Sequence, residues 1–193
     1  MLPSSNLASP ASVLPAWSGS VAKAVAGTIG GCILLALSAQ VRVALANTDV
    51  PMTLQPLAVA LIGFTVSPAV ALGATLAYLG CGWSGLPVLA AGSAGLAGPT
   101  GGYLVGFVVG AWVIALLRGP GRASYARLAL AGTTGLAVVF LCGVSWCGFW
   151  LGGNWAAAVM TGLAPFVFKD ILGVLLAASL VTAGRTLAEK QGR

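Results

Sequence analysis

The chain has 193 residues, of which 59% are hydrophobic and only 6% charged, with a formal net charge of +6. A soluble domain carries about 25% charged residues, so an ordinary water-facing surface is excluded. So is a membrane β-barrel, because the period-two alternation it needs is missing, and helices remain as the way to satisfy backbone groups in lipid.

Residues 1–20, MLPSSNLASPASVLPAWSGS, are rich in Ser and Pro and lack the basic start and apolar core of a signal peptide. They read as a loose tail with a short interfacial element around Trp17. The first span, AVAGTIGGCILLALSAQV at 24–41, is anchored by Lys23 and Arg42. It carries Ala22-x-x-x-Ala26-x-x-x-Gly30 and Gly27-x-x-x-Gly31, a spacing of small residues that lets another helix approach closely. Residues 50–117 then run without a charge. Breaks at Ser67-Pro68 and across the Gly- and Pro-rich 82–102 divide this run into helices near 55–67, 68–82 and 102–117. The loop Arg118–Arg127 holds three Arg and no acid. A fifth span is predicted at about 126–148. The stretch FWLGGNWAAAVMTGLAPFVF becomes a connection and helix start, and a last helix runs from about 165 to 184, ending at Arg185.

Basic loops stay on the cytoplasmic side. Lys23, the Arg118–Arg127 loop and the basic C-terminus all belong inside, and six helices with both ends inside satisfy all three. The predicted fold is an all-α integral membrane protein with a membrane domain at 21–186 and a cytoplasmic tail at 187–193, multi-pass in the cell membrane. This topology gathers the polar oddities at the outer mouth: Arg42, Asn47, Asp49, Thr53 and Gln55 after the first helix, the loop GWSGLPVLAAGSAGLAGPTGGY, and Lys169-Asp170 one turn into the last helix.

The missing residues restrict the chemistry. Without a single His there is no Ser-His-Asp triad and no His metal ligand. With three acids at separate sites a catalytic carboxylate pair is not expected. No G-x-x-x-x-G-K-[ST] occurs, and the Gly92–Gly98 run lacks the Lys and strand of a phosphate loop. The chain is therefore read as a non-enzyme without cofactor or metal. Cys32, Cys81, Cys142 and Cys147 lie in apolar runs and read as small packing residues. The basic residues do not form a face interleaved with polar and aromatic groups, so no nucleic-acid partner is expected. Lys169-Asp170 has two readings. One is an interfacial anchor, with Lys snorkelling and Asp at the helix N-terminus. The other is a substrate site, because ionisable groups within a span are costly and functional. Adjacent helical positions point about 100° apart, so the two side chains are not expected simply to pair with each other.

Three segments, VPMTLQPLAVALIG (50–63), GLPVLAAGSAGLAGPTGGYLVGF (85–107) and PFVFKDILGVLLAASL (165–180), resemble the BioY family, the biotin-binding substrate components of energy-coupling-factor (ECF) vitamin transporters. They occur in family order and, with the spans between them, cover about 22–185. The resemblance implies a six-helix bundle of the S-component type, an outward-facing pocket closed by loops, and biotin as the transported ligand. It also implies partners: a membrane scaffold subunit and two ATP-binding subunits, with the helix 1 face of Ala22, Ala26 and Gly30 against the scaffold. On this reading Asp170 accepts a ureido N–H of biotin, and Gln55, Thr53, Ser93 and Tyr103, with Asn47 in the loop beside them, supply neutral polar contacts. Trp83, Leu86, Val88 and Phe166 enclose the ring and tail, and Lys169 or Arg42 meets the valerate carboxylate. The family keeps a Lys three residues after the Asp. That position here is Gly173, and Lys169 stands one turn nearer the mouth on roughly the same face. An S component for another vitamin, a stand-alone secondary transporter, and a structural membrane protein without a small ligand are the competing readings.

Overall fold

The computed structural model describes residues 17–46, 48–90 and 95–191. Seven α-helices occur among them: α1 (Trp17–Gln40), α2 (Gln55–Thr65), α3 (Pro68–Trp83), α4 (Gly101–Arg118), α5 (Tyr125–Trp150), α6 (Trp155–Gly162) and α7 (Val167–Gln191). A short antiparallel ribbon, β1 (Arg42–Val43) with β2 (Met52–Thr53), links α1 to α2 with Arg42 opposite Thr53. Residues 1–16 of the expected tail lie outside the described residues.

Local sequence explains the breaks. Ser67 caps α3 by accepting from the Val70 N–H at 3.4 Å, with Pro68 at the first helical position, where its missing N–H does no harm. Ser124 caps α5 in the same way through the Arg127 N–H at 3.3 Å. After α5, Gly152 and Gly153 take left-handed φ of +66° and +91°, a turn that strains other residues, and Asn154 then caps α6. The sequence places a plain connection here; the additional helix α6 corrects it. The ends of the first and last helices also differ from expectation. Helix α1 begins at Trp17 rather than near Lys23, and α7 continues past Arg185 to Gln191. The last turns of α7 are made of good helix formers, and Glu189 in them pairs with Arg122 on the α4–α5 loop.

Four helices are long and apolar enough to cross a bilayer: α1 from Ser20, α4, α5 and α7. Helices α2 and α3 are shorter, at 11 and 16 residues. The helices pack through glycine. Gly102, Gly106 and Gly110 form one stripe of α4 that meets α5 backbone to backbone. A Cβ on Gly106 would stand 2.9 Å from Val139 Cα, and one on Gly110 would stand 3.0 Å from Gly135 O. Such close approach lets dispersion hold helices together where lipid offers no hydrophobic drive. Gly27 and Gly31 of α1 face Val70 and Ala74 of α3 in the same manner. Leu35, Val59, Phe64, Tyr78, Ile114, Leu128 and Val174 fill the centre of the bundle.

The bundle has two chemically different ends. The α2–α3 turn, the α4–α5 loop and the far part of α7 share one end, tied by Arg118 Nη2 donating to Val66 O at 3.1 Å and Arg185 Nη1 donating to Ala123 O at 3.3 Å. The ribbon, the α3–α4 connection, α6 and the start of α7 share the other.

Candidate functional site

At this second end a pocket open at its mouth, with about 570 Å³ of empty space that includes open solvent, is lined by the ribbon and its flanks, α4, α5 and the head of α7. Asp170 lies at its wall, only 4% exposed, in the first turn of α7. The unpaired N–H groups of a helix start favour a carboxylate there. A buried charge still requires a partner, and Lys169 supplies it: Lys169 Nζ forms an ion pair with Asp170. This corrects the expectation that adjacent positions do not pair; the four-carbon lysine stem is long enough to fold back over the first turn. The same ammonium donates to Thr53 O at 2.6 Å, so Lys169 also fastens α7 to the ribbon.

The ribbon side is a relay of neutral groups. Thr53 Oγ1 donates to Gln55 Oε1 at 3.1 Å and accepts from the Gln55 N–H at 3.2 Å. Gln55 Nε2 donates to Tyr78 Oη at 2.8 Å, and that hydroxyl donates to Val88 O at 3.3 Å. Tyr78 and Gln55 are both buried, so each link is specified by the penalty of leaving a polar atom unmatched. Tyr78→Phe should therefore destabilise the protein by about 1–3 kcal/mol, read as a lowered melting temperature in detergent without ligand. A melting temperature equal to wild type would show that the relay does not hold the ribbon.

The lining also carries four aromatic rings. Tyr103, Phe107, Phe140 and Phe166 line the pocket. Tyr103 Oη donates to Gly162 O at 2.7 Å, tying α4 to α6, and its ring lies against Gly143, where a Cβ would collide with it. A mostly apolar cleft with a few convergent polar groups is the usual form of a small-molecule site.

Six sequence-predicted residues thus meet at one pocket: Asp170, Lys169, Gln55, Thr53, Tyr103 and Phe166. Asn47 and Ser93 lie outside the described residues. Arg42 pairs with Thr53 along the ribbon and is exposed, away from the lining. Trp83 and Leu86 are 78% and 52% exposed, which corrects their assignment as enclosing groups. Trp83 is the last residue of α3 and Leu86 lies just beyond it, past the point where the helix faces the bundle, and Trp83 instead edges a second, apolar cleft beside Leu89 and Leu96. Val88 is half-buried and does not line the pocket; it contributes its backbone carbonyl to Tyr78. Ala22, Ala26 and Gly30 are all exposed along α1, and a Cβ on Gly30 would meet nothing within 4 Å. Sequence reasoning missed Tyr78, Thr100, Phe107 and Phe140. Thr100 stands inside the GPTGGY motif, and Phe107 follows Tyr103 by one helical turn, so both carried a signal.

Comparison with known proteins bears on what this pocket is. The sequence profile of the BioY family matches residues 8–190. The chain belongs to the BioY family. BioY relatives include the biotin transporter BioY of Thermotoga maritima, 36% identical over 67% of this chain and 77% of that protein. The biotin transporter BioY2 of Lactococcus lactis is 32% identical over 77% and 81% of the two chains, and the probable biotin transporter BioY of Pyrococcus horikoshii is 34% identical over 72% and 82%. A crystal structure of the S-component for biotin from an ECF-type ABC transporter has the same fold, with a TM-score of 0.77 at 20% identity over 87% of this chain and 93% of that one.

Proposed function

We propose that this BioY-family chain is the membrane subunit that binds biotin for uptake, with energy supplied by a membrane scaffold subunit and two ATP-binding subunits. The observation that carries this reading is the pair of buried Asp170 and half-buried Lys169 at the edge of an otherwise largely aromatic and aliphatic pocket. Biotin is shaped for such a place. Its ureido ring offers two N–H donors, its thiophane ring and tail are apolar, and its valerate carries one negative charge. Asp170 accepts a ureido N–H. Gln55, Thr53 and Tyr103 adjust the remaining polar contacts, Phe166 packs on the ring, and Lys169 or Arg42 attracts the valerate.

In this reading α2 and α3 are short second and third passes, giving six crossings with α6 lying outside them. The excess of Lys and Arg at the end away from the pocket supports a cytoplasmic side for that end and for both termini, with the pocket opening outward. Residues 21–186 then form the membrane domain, with short tails on either side. The exposed small face of α1 supports scaffold docking. Ala26→Trp should abolish co-purification with the scaffold while leaving biotin binding intact; loss of biotin binding would mean instead that this face packs inward. The reading as a whole is tested by thermal shift of the purified chain with biotin, thiamine and riboflavin. Stabilisation by biotin alone is expected, and a folded protein that ignores biotin would refute it.

A further inference from the structure

The end of the bundle opposite the pocket carries a second polar site, which does not depend on the biotin reading. We propose that Arg118, Arg185 and Arg127 together hold a phosphate-bearing anion. Arg118 Nη2 donates to Val66 O at 3.1 Å and Arg185 Nη2 to Phe64 O at 3.5 Å. These two carbonyls lie two residues apart at the end of α2, so the two guanidinium heads are neighbours. Arg185 Nη1 also donates to Ala123 O, and Arg127 Nε donates to Leu117 O at 2.9 Å. The Arg127 head lies on the turn at Gly119, where a Cβ would stand 2.6 Å from its Nη2.

The side-chain hydrogen bonds of these three cations among the described residues all go to backbone carbonyls. Such bonds cap a helix end but cancel no charge. Glu189 is the sole acid at this end among the described residues, and Arg122 engages it. Arg118 Nε is buried and has no hydrogen-bond partner among the described residues. An orphaned donor of this kind costs free energy that capping does not explain. Three guanidinium groups at one helix-bundle edge, with spare donors and none of them in an ion pair among the described residues, match the several oxygens and the charge of a phosphate group. Arg118 ends the membrane-length helix α4, at the depth where anionic lipid headgroups lie, and basic pockets between helices bind such headgroups. Inorganic phosphate presents the same chemistry from solution.

The test uses the full chain purified in a neutral detergent. Short-chain phosphatidylglycerol, short-chain phosphatidylcholine and inorganic phosphate are titrated separately, with binding read by native mass spectrometry and thermal shift. Phosphatidylglycerol should bind more tightly than phosphatidylcholine. That preference should fall about fivefold for each arginine neutralised in Arg118→Gln, Arg127→Gln and Arg185→Gln. Arg185→Lys, which keeps the charge but loses the fork, should fall between. If phosphate alone stabilises as strongly as phosphatidylglycerol, the anion is soluble phosphate; if only the lipid does, it is a headgroup. Equal binding of both lipids with no phosphate effect would overturn the proposal, as would arginine variants that keep the wild-type preference. Should Arg118→Gln fail to fold, Arg127→Gln and Arg185→Lys carry the test, since Arg127 is exposed and Arg185→Lys is conservative.

Discussion

Asp170→Asn is expected to weaken biotin binding roughly 10- to 150-fold, the range spanned by about 1.5–3 kcal/mol for a hydrogen bond to a charged group. Asparagine keeps the size of the side chain and one acceptor, so packing in the first turn of α7 survives. It removes the charge that, in the proposed binding mode, strengthens acceptance of a ureido N–H. It also removes the counter-charge of Lys169, whose ammonium then keeps its bond to Thr53 O alone. Lys169→Ala should act through the same pair: it leaves Asp170 a buried carboxylate without a counter-charge and frees the ribbon from α7. Its effect on affinity should approach that of Asp170→Asn and should not add to it fully, because the two residues share one interaction. If both single variants bind biotin as wild type does, the pair is an interfacial anchor and the pocket takes its ligand by other groups.

The largest effect on stability is expected at Gly102. A Cβ there would stand 2.5 Å from Cys142 O and would also strike Trp146 Cβ, parts of α5 that cannot rotate aside. Overpacking typically costs about 1–3 kcal/mol and more where backbone must move, against a total stability of only about 5–15 kcal/mol. Gly102→Val should therefore yield little folded protein. Gly102→Ala should melt well below wild type and, where folded, bind more weakly, because Tyr103 is the next residue and Trp146 Nε1 holds the loop before α4 through Gly98 O at 2.9 Å. Gly80→Ala is the control: nothing lies within 4 Å of its would-be Cβ, and alanine is the better helix former by about 1 kcal/mol. Size-exclusion profiles and melting curves read both. A Gly102→Ala protein as stable as Gly80→Ala would show that the α4–α5 contact is looser than these distances require.

Much of this arrangement was legible in the sequence because lipid leaves few alternatives. A charge-poor chain must be helical, and Ser67-Pro68 marks a helix start by its capping chemistry. Helix α5, expected at 126–148, runs Tyr125–Trp150. Basic loops distinguish the two ends of the bundle by charge alone. Other features had no local signature. A ribbon of two residues per strand has no pattern to read, and α6 is one helix of eight residues with no charge to mark it. The direction of Trp83 and Leu86 depends on where α3 leaves the bundle, which hydropathy does not record. The Lys169–Asp170 pair was missed because helical geometry predicts where a Cβ points, not how far a lysine head can return. The glycine stripe Gly102, Gly106 and Gly110 was visible at four-residue spacing but hidden among 28 glycines.

The central claim is that the pocket beside Asp170 and Lys169 binds biotin. Its most direct test is a calorimetric titration of biotin into the purified wild-type chain and into Asp170→Asn, side by side in the same detergent. A saturable isotherm with one biotin per chain, shifted at least tenfold weaker in Asp170→Asn, is the expected result. No binding heat from a folded wild-type chain, or identical isotherms for the two proteins, would contradict it.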